Sequence, residues 1–434
     1  MSYFSLWEFY SEEWMMKLLL VGNGGRECAL AWKISQSNRC DKLYITKANA
    51  GQLEYGESID IAPLDIEGVV NFSVNNKIDL VVVAPDDPLY AGMVDALNEA
   101  GIRAFGPVKK AATIEGSKVF SKNLMKKYGV PTAFYEVFDN SEEAKAYIKK
   151  NNKFPIVIKA EGLALGKGVI IAEDLETAVK AVDDIMVAKQ FGESGNRVVI
   201  EEFLTGREIT VLAFCDGKTL KTMPSSQDYK RALTGNKGLN TGGMGAISPS
   251  PIYTQEIEEY CQKEVYQKTL DALNAEGITF KGVIYFGLIN TPDGIKVIEY
   301  NARFGDPETQ VILPQLETDI LDIFDACIDG TLDNLDIKWN NRPTQCVVLA
   351  SGGYPSSYEK NKEITGLDKA KEDGANVFIA GAYEKDGKAY TNGGRVLVTS
   401  ATGETADEAY ENAYNAIGKI NFENCYYRTD IGLT

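Results

Sequence analysis

Five adjacent apolar residues, Leu80-Val81-Val82-Val83-Ala84, constrain this chain more than any other stretch. A run that short and that uniformly apolar has no face to show to water, so as a strand it needs cover on both sides. Sheets covered on both sides are parallel sheets with crossover helices above and below. Two earlier runs, Leu18 to Val21 and Lys42 to Thr46, also read as strands, and helical patterns follow the first run and the run at Asp79 to Ala84. The N-terminal region is therefore expected to be a parallel α/β domain.

At 434 residues the chain is longer than one hydrophobic core can serve, so several domains are expected. The pattern changes after Ile114: a helix around Ser117 to Tyr128, a Gly-Val-Pro-Thr turn, then a strand at Phe134 to Phe138. Asn140 followed by Glu143 has the form of an N-cap with a reciprocal acidic partner, opening a helix that ends near Lys150. Ile156 to Lys159, Val169 to Ala172 and Val198 to Phe203 read as strands around a glycine-rich loop, with a helix over 174–188, and suit a lid of about residues 135–205. Val283 to Asn290 and Ile295 to Tyr300 read as a hairpin turning through Thr-Pro-Asp-Gly. Strands near 346–350, 377–382 and 395–399, then a helix with a capping box from Thr405 to Glu408, complete an α+β tail. The expected fold class is thus multidomain α/β and α+β: an N-terminal parallel domain over 16–117, a central domain over 118–339 that includes the lid, and a tail domain over 340–434. Residues 1–15 read as a leader without an assigned role, ahead of a second plausible start at Met15 or Met16.

A formal charge of −17 argues against a nucleic-acid surface, whose affinity comes from Lys and Arg neutralising phosphates, so any anionic substrate must meet local basic foci. The seven cysteines are scattered, odd in number and without CxxC spacing, which suits reduced thiols. The apolar run Leu18 to Val21 is too short to span a bilayer, and residues 1–15 lack a basic start and a small-residue cleavage site, so neither a membrane nor export is expected and the cytoplasm is the default. The chain contains no histidine, which excludes a His triad, a His-ligated zinc and an imidazole base. Carboxylates, Lys, Arg, backbone dipoles and metal remain to carry chemistry.

In Lys17 to Glu27 the glycines Gly22, Gly24 and Gly25 stand between a strand and a helix, where backbone N–H groups and the helix dipole can hold an anion. The dinucleotide fingerprint fails, because its third small position is Glu27 and no acidic residue closes the second strand near Thr46. A phosphate or phosphosugar fits better than NAD, and a tight turn without ligand would read the same way. Lys159 to Val169 is not a Walker A loop: Glu161 stands at the position of its first glycine, and Gly168 follows Lys167 where Ser or Thr should bind magnesium. It reads as a flexible hairpin, either folding over nucleotide phosphates or simply rich in glycine. Glu299 and Asn301 on one strand share a face and offer two hard oxygen ligands suited to magnesium, although singly such residues are often only solvated. Arg303 adds a planar fork for a carboxylate or phosphate, and the Gly305-Asp306-Pro307-Glu308 turn can open a helix at an anion.

Lys118, Lys159, the glycine loop, Glu201-Glu202-Phe203-Leu204, Glu208 and the Glu299-x-Asn301 strand follow in the order and approximate spacing of the ATP-grasp fold, which the chain resembles. That resemblance implies two αβ subdomains clasping ATP beneath a mobile lid. Within the superfamily the sequence is similar to the phosphoribosylamine–glycine ligases, or glycinamide ribonucleotide synthetases, from Met16 to about Gly432. The phrases that carry the likeness are GNGGRE at 22–27, GP at 106–107, EGSK at 115–118, IKAEGLALGKGV, EEFLTGRE at 201–208, SQDYKR at 226–231, NTGGMGA at 240–246, EYNARFGDPETQ at 299–310, ASGGYP at 350–355 and TNGGRV at 391–396.

The resemblance implies an ATP-dependent ligase of purine biosynthesis that makes glycyl phosphate and passes the glycyl group to the amine of 5-phosphoribosylamine, with Mg2+ or Mn2+. By matching positions, Lys118, Lys159, Gly166, Lys167 and Gly168 would contact ATP phosphates, Glu201, Glu202, Phe203 and Leu204 the adenine side, and Glu208 the ribose. Glu299 and Asn301 would hold the metal. Arg303, Lys159 and Asp228 would serve the chemistry, with Arg303, Asp306 and Pro307 orienting glycine. Gly22, Asn23, Gly24, Gly25, Asp86, Asp228, Lys230, Arg231, Gly242, Gly243 and Met244 would surround phosphoribosylamine. The partners implied are small molecules acting on a monomer. Cys28 and Tyr229 stand where this family commonly carries His, and the strand Val283 to Ile289 lacks the carboxylate that many relatives use as a second metal ligand. A formate- or bicarbonate-activating ligase of the same fold and a non-catalytic nucleotide binder are the alternatives.

Overall fold

The structure, a computed structural model, describes residues 15–164, 168–372 and 374–433. Strands β1 (Met16–Val21), β2 (Cys40–Thr46), β3 (Glu57–Ile59), β4 (Leu80–Val83) and β5 (Ala104–Phe105) form a parallel sheet in the order β3-β2-β1-β4-β5. Both faces are covered, as the run at 80–84 requires. Leu19, Val21, Val81 and Val83 pack with Val69, Met93 and Leu97, while Leu18, Leu20, Leu80 and Val82 pack with Ala29, Leu30 and Ile34. The strand order reverses between β1 and β4, and such a switch point opens a crevice beyond the carboxyl ends of those two strands. The segments that leave it are Gly22 to Gly25 and Pro85-Asp86.

Ser117 caps the helix Lys118–Tyr128, its hydroxyl accepting from the Phe120 N–H at 3.1 Å. Strands β6 (Tyr135–Phe138), β7 (Ile156–Ala160), β8 (Val169–Ala172) and β9 (Val198–Glu202) then form an antiparallel sheet in the order β6-β9-β7-β8. The helix expected over 174–188 is α-helical only over Leu175–Val182 and continues as a π-turn over Asp183–Val187. Strands β10 (Arg207–Asp216), β11 (Leu220–Thr222), β12 (Lys281–Thr291) and β13 (Gly294–Asn301) form a second antiparallel sheet in the order β11-β10-β12-β13. The β12–β13 hairpin turns at Pro292-Asp293, with Gly294 at φ 104°, a conformation that favours glycine.

The sheet of the tail crosses the expected boundary at residue 340. Strands Thr344–Ser351, Asn376–Ile379 and Arg395–Thr402 are joined by Gly245–Ser248, which pairs with Thr344–Ser351, and by Gln227–Asp228 at its edge. The segments SQDYKR and NTGGMGA are thereby fixed against the C-terminal domain. The capping box of the last helix is also rearranged: Thr405 accepts from the Glu408 N–H at 3.2 Å, but the Glu408 carboxylate turns to the N–H of Glu404 at 2.6 Å. Among the described residues no helix is long and apolar enough to cross a membrane. The leader expected at 1–15 lies outside the described residues apart from Met15, which is exposed.

Candidate active site

The glycine loop after β1 is tightened by its own protein. Gly22, at φ 113°, donates its N–H to Thr46 Oγ1 at 2.8 Å, and the Gly24 N–H goes to Glu27 Oε2 at 2.9 Å. Glu27 thus caps the helix Gly25–Ile34, which explains an acidic residue where a dinucleotide motif needs a small one. It also leaves fewer amides for an anion than the motif alone implies, since those of Gly22 and Gly24 are already engaged. Asn23 is exposed and donates to the Lys47 carbonyl at 2.9 Å. Gly25 faces the other motifs: a Cβ there would lie 2.9 Å from Gln310 Nε2 and 3.5 Å from Asp306 Oδ1. Cys28 is fully buried, and burial pushes its thiol up to about 12. That position meets the core, so a residue other than His there removes no group from the crevice.

Glu299 and Asn301 share a face of β13, and Tyr300 between them is buried against Phe286 on the opposite side. Gly287 stands across from Glu299 on β12, and a Cβ on it would press within 3.0 Å of Glu299 Cγ, so this glycine leaves room for the carboxylate. Burial works against the charge of Glu299, but Lys230, Lys159, Lys118 and Arg303 surround it and hold its carboxyl below the usual range. With the Asn301 amide assigned so that its nitrogen donates to Tyr300 O at 3.2 Å and Glu115 Oε1 at 3.0 Å, its oxygen is directed away from those acceptors. Arg303 Nη2 meets the buried Glu115 Oε1 at 2.9 Å, and Glu115 Oε2 accepts the Ala302 N–H at 2.7 Å. Burial opposes the charge of Asp86 as well, yet Arg303 and Arg26 keep its carboxyl below the ordinary range. The crevice beyond β1 and β4 is therefore tied electrostatically to the strand bearing Glu299.

Lys118 opens its helix and donates to the Gly162 carbonyl at 2.9 Å, which ties the start of the glycine loop to that helix. Burial and the nearby Lys159 push its ammonium below the usual range, while Glu299 opposes this. Gly166 and Lys167 lie outside the described residues. The Gly168 carbonyl accepts from the Ala160 N–H at 2.8 Å, closing the loop on β7. Lys159, 4% exposed, lies with its Nζ 3.0 Å from Glu201 Oε1, and Lys122 Nζ sits 2.8 Å from Glu201 Oε2. Glu202, at the end of β9, Phe203 and Leu204 just after it, and Glu208 near the start of β10 are exposed, apart from the half-buried Leu204. Glu202 is engaged there, accepting from the Phe134 N–H at 2.9 Å and from Lys296 at 3.1 Å.

The third group of side chains is held by the C-terminal domain. Arg395, from the phrase TNGGRV, donates through Nη1 to the carbonyls of Gly242 at 2.6 Å and Asp306 at 2.8 Å, and its Nη2 meets Asp306 Oδ2 at 3.2 Å. Burial would raise the Asp306 carboxyl, but Arg395, Arg26, Gln310 and Arg303 hold it below its ordinary range. Asp228 behaves oppositely: burial, aided by Glu308, drives its carboxyl well above the usual value. A Cβ on Gly243 would fall 2.5 Å from both Asp228 Oδ1 and Pro307 Cδ, which places these three residues together. Lys230 pairs with Glu208 at 2.7 Å, and Arg231 donates to the Gly238 carbonyl at 2.9 Å. Met244, expected around the substrate, is fully buried, with its N–H on Tyr229 O and its carbonyl taken by the Val348 N–H. Tyr229 is likewise buried, with the Arg428 guanidinium 5.3 Å from its ring centroid. Sequence alone does not single out Glu115, Lys122 or Arg395, and it shows Glu308 only as part of a turn. Glu115, Glu308 and Arg395 stood inside the supporting phrases, and Lys122 lies four residues after Lys118 on one helix face.

The phosphoribosylglycinamide synthetase N domain matches residues 16–115, its ATP-grasp (A) domain residues 116–309 and its C domain residues 344–434. The chain belongs to the phosphoribosylglycinamide synthetase family. The phosphoribosylamine–glycine ligase of Caldanaerobacter subterraneus subsp. tengcongensis is 46% identical over 416 residues, covering 96% of this chain and 99% of that one. The solved phosphoribosylamine–glycine ligase of Thermotoga maritima is 35% identical with a TM-score of 0.83, covering 96% of this chain and 100% of its own. A biotin carboxylase of Campylobacter jejuni, at 14% identity and a TM-score of 0.74 over 96% of this chain and 94% of its own, shares the fold alone. Charged side chains of the N, ATP-grasp and C domains act on one another: Arg303 acts on Asp86 and Glu299, and Arg303, Arg26 and Arg395 all act on Asp306.

Proposed function

We propose that the protein joins glycine to 5-phosphoribosylamine at the expense of ATP, through glycyl phosphate, giving glycinamide ribonucleotide, ADP and phosphate in purine biosynthesis. The observation that carries this reading is the convergence of Lys118, Lys159, Lys230 and Arg303 on the single carboxylate Glu299. Glu201, Glu208 and Glu115 also pair with Lys159, Lys230 and Arg303, and such a cluster of held cations suits a triphosphate, whose negative charge concentrates during phosphoryl transfer. Glu299 and Asn301 supply hard oxygen donors that fit Mg2+ or Mn2+, and a metal there would neutralise phosphate charge. The cations around Glu299 disfavour a bare divalent ion, so the metal would arrive with the nucleotide.

In this reading Lys118 and Lys159 position the phosphates, Glu201 to Leu204 face adenine, and Glu208 faces the ribose. Arg303 and the Asp306-Pro307 turn orient the glycine carboxylate. The switch-point crevice, Asp86, Asp228, Lys230 and Arg231 receive phosphoribosylamine. The division into an N-terminal domain to 117, a central domain to 339 and a tail, the lid over 135–205, the monomeric state and the cytoplasmic setting complete the proposal. An assay of ADP release tests it: turnover is expected only with glycine and phosphoribosylamine together, and turnover with formate or bicarbonate in place of glycine would overturn it.

The lid carries a second expectation. Its core residues, among them Ile148, Ile158, Val182 and Ile200, form a separate small cluster, so it can move as a unit. Amide exchange over 135–205 is expected to slow when MgATP is added. Equal protection with and without nucleotide would remove the lid from the proposal.

A further inference from the structure

Glu201 is 4% exposed and lies between two lysines that hold it differently. On one side Lys122, 2% exposed, meets Oε2 at 2.8 Å and also donates to Thr132 Oγ1 at 2.8 Å. Thr132 in turn donates to the Val297 carbonyl of β13 at 2.7 Å. That ammonium is thus fixed from its own helix, from β9 and from the turn before β6. On the other side Lys159 lies 3.0 Å from Oε1, yet among the described residues Oε1 receives no directed hydrogen bond, and the hydrogen bond that Lys159 makes there is a long one, 3.3 Å to the Ile298 carbonyl. One half of the triad is anchored and the other is loose, and the loose half presents a buried acceptor that an incoming N–H can satisfy.

We propose that Lys122 is a positioning residue for nucleotide binding: it keeps Glu201 paired and aimed when Lys159 leaves that carboxylate for the triphosphate. This rests on the functional reading above, in which Lys159 meets phosphate and Glu201 meets adenine. Once Lys159 turns away, Glu201 without Lys122 would be a buried carboxylate lacking a cation, and such a group protonates or draws its partners out of place. Ionised, it accepts the adenine N–H as a charge-assisted bond of about twice the neutral strength. In the free protein Lys159 still neutralises Glu201, so removing Lys122 leaves the unliganded fold paired.

The two lysines are also coupled in their protonation. Burial, with a smaller push from Lys159, lowers the Lys122 ammonium to about 8 against the opposing pull of Glu201 and Glu202. Lys126, on the same helix, shares the face of Tyr135 with it, at 5.6 Å against 5.9 Å. When triphosphate compensates the charge of Lys159, one cause of that depression disappears and Lys122 gains proton affinity. Nucleotide binding near pH 8 should therefore take up protons.

Calorimetric titration of MgATP into the full-length protein near pH 8, in two buffers of different ionisation heat and without glycine or phosphoribosylamine, reads both effects. The native chain is expected to take up protons. Lys122→Met is expected to bind about tenfold or more weakly, the loss typical of one hydrogen bond to a charged group, and to take up none. Lys122→Arg, whose guanidinium does not titrate, should regain most of the affinity but not the uptake. Unchanged affinity in Lys122→Met, or undiminished uptake in either variant, would overturn the proposal. If Lys122→Met fails to fold, the Lys122→Arg result decides. Because the measurement needs neither co-substrate, nucleotide binding with Lys122-dependent uptake but no glycine-dependent turnover would sink the ligase reading alone, whereas a native chain that binds no nucleotide sinks both.

Discussion

Glu299→Ala should lower glycine- and phosphoribosylamine-dependent ADP formation by roughly 1,000-fold or more, as expected when charge stabilisation at a transferring phosphoryl group is lost. The circular dichroism spectrum should not change. Glu299 does more than offer a metal ligand, because it is also the counter-charge that lets Lys230, Lys159, Lys118 and Arg303 share one cleft. Among the neighbours of Lys118 it is the strongest in keeping that ammonium charged against burial. Its loss therefore lowers the proton affinity of Lys118 further, and the residual activity should fade at a lower pH than in the native protein. Glu299→Gln separates charge from shape: it keeps the side-chain volume that Gly287 accommodates, so it should fold as well as the native chain and yet be nearly as inactive as the alanine variant. Near-native turnover in Glu299→Gln would show that the carboxylate charge does not carry the reaction.

Much of the fold is legible because its signals are local. The run at 80–84 announces a strand covered on both faces, and that strand lies between β1 and β5 in a parallel sheet. The Thr-Pro-Asp-Gly turn announces the β12–β13 hairpin. The pairing of Gly245–Ser248 with Thr344–Ser351 has no such signal, since about a hundred intervening residues separate the partners and register over that distance is set by tertiary packing. The site divides along the same line. Glu299 and Asn301 declare themselves by their spacing on one strand, but the group that orients Arg303 is Glu115, whose backbone partner Ala302 lies 187 residues away. Arg395 shows only as part of a glycine-rich phrase, although it ties Gly242 to Asp306. Met244 reads as part of a substrate loop because sequence does not tell which side of a loop faces the core. Cys28 and Tyr229 carry the same lesson: a residue inside a functional phrase can serve the packing beneath it.

Arg303→Met is expected to impair both activity and stability, and pH separates the two causes. Methionine keeps most of the buried length while removing the fork that meets Glu115 Oε1 at 2.9 Å and the charge that holds Asp86 ionised. Breaking one side of a buried ion pair costs about 3–5 kcal/mol, because the remaining charge is left uncompensated. Turnover should fall by about 100-fold or more if the guanidinium aligns the glycine carboxylate with the phosphate. The stability loss has a definite pH dependence. Asp86 is held below the ordinary carboxylate range, so its contribution exists above that range and disappears as pH falls through the folded value. Glu115 is already pushed upward by burial with Arg303 present, and without Arg303 it rises further, a penalty that grows as pH climbs through its folded value. The Asp86 contribution is complete at both pH values, so it is Glu115 that should make urea unfolding show a larger deficit at about pH 7.5 than at about pH 5. Adding Glu115→Gln to Arg303→Met should recover part of the loss at the higher pH, because it removes the orphaned charge without restoring activity. A deficit of equal size at both values would mean that Arg303 holds this cleft by packing, and its assignment to the glycine carboxylate would lose its electrostatic basis.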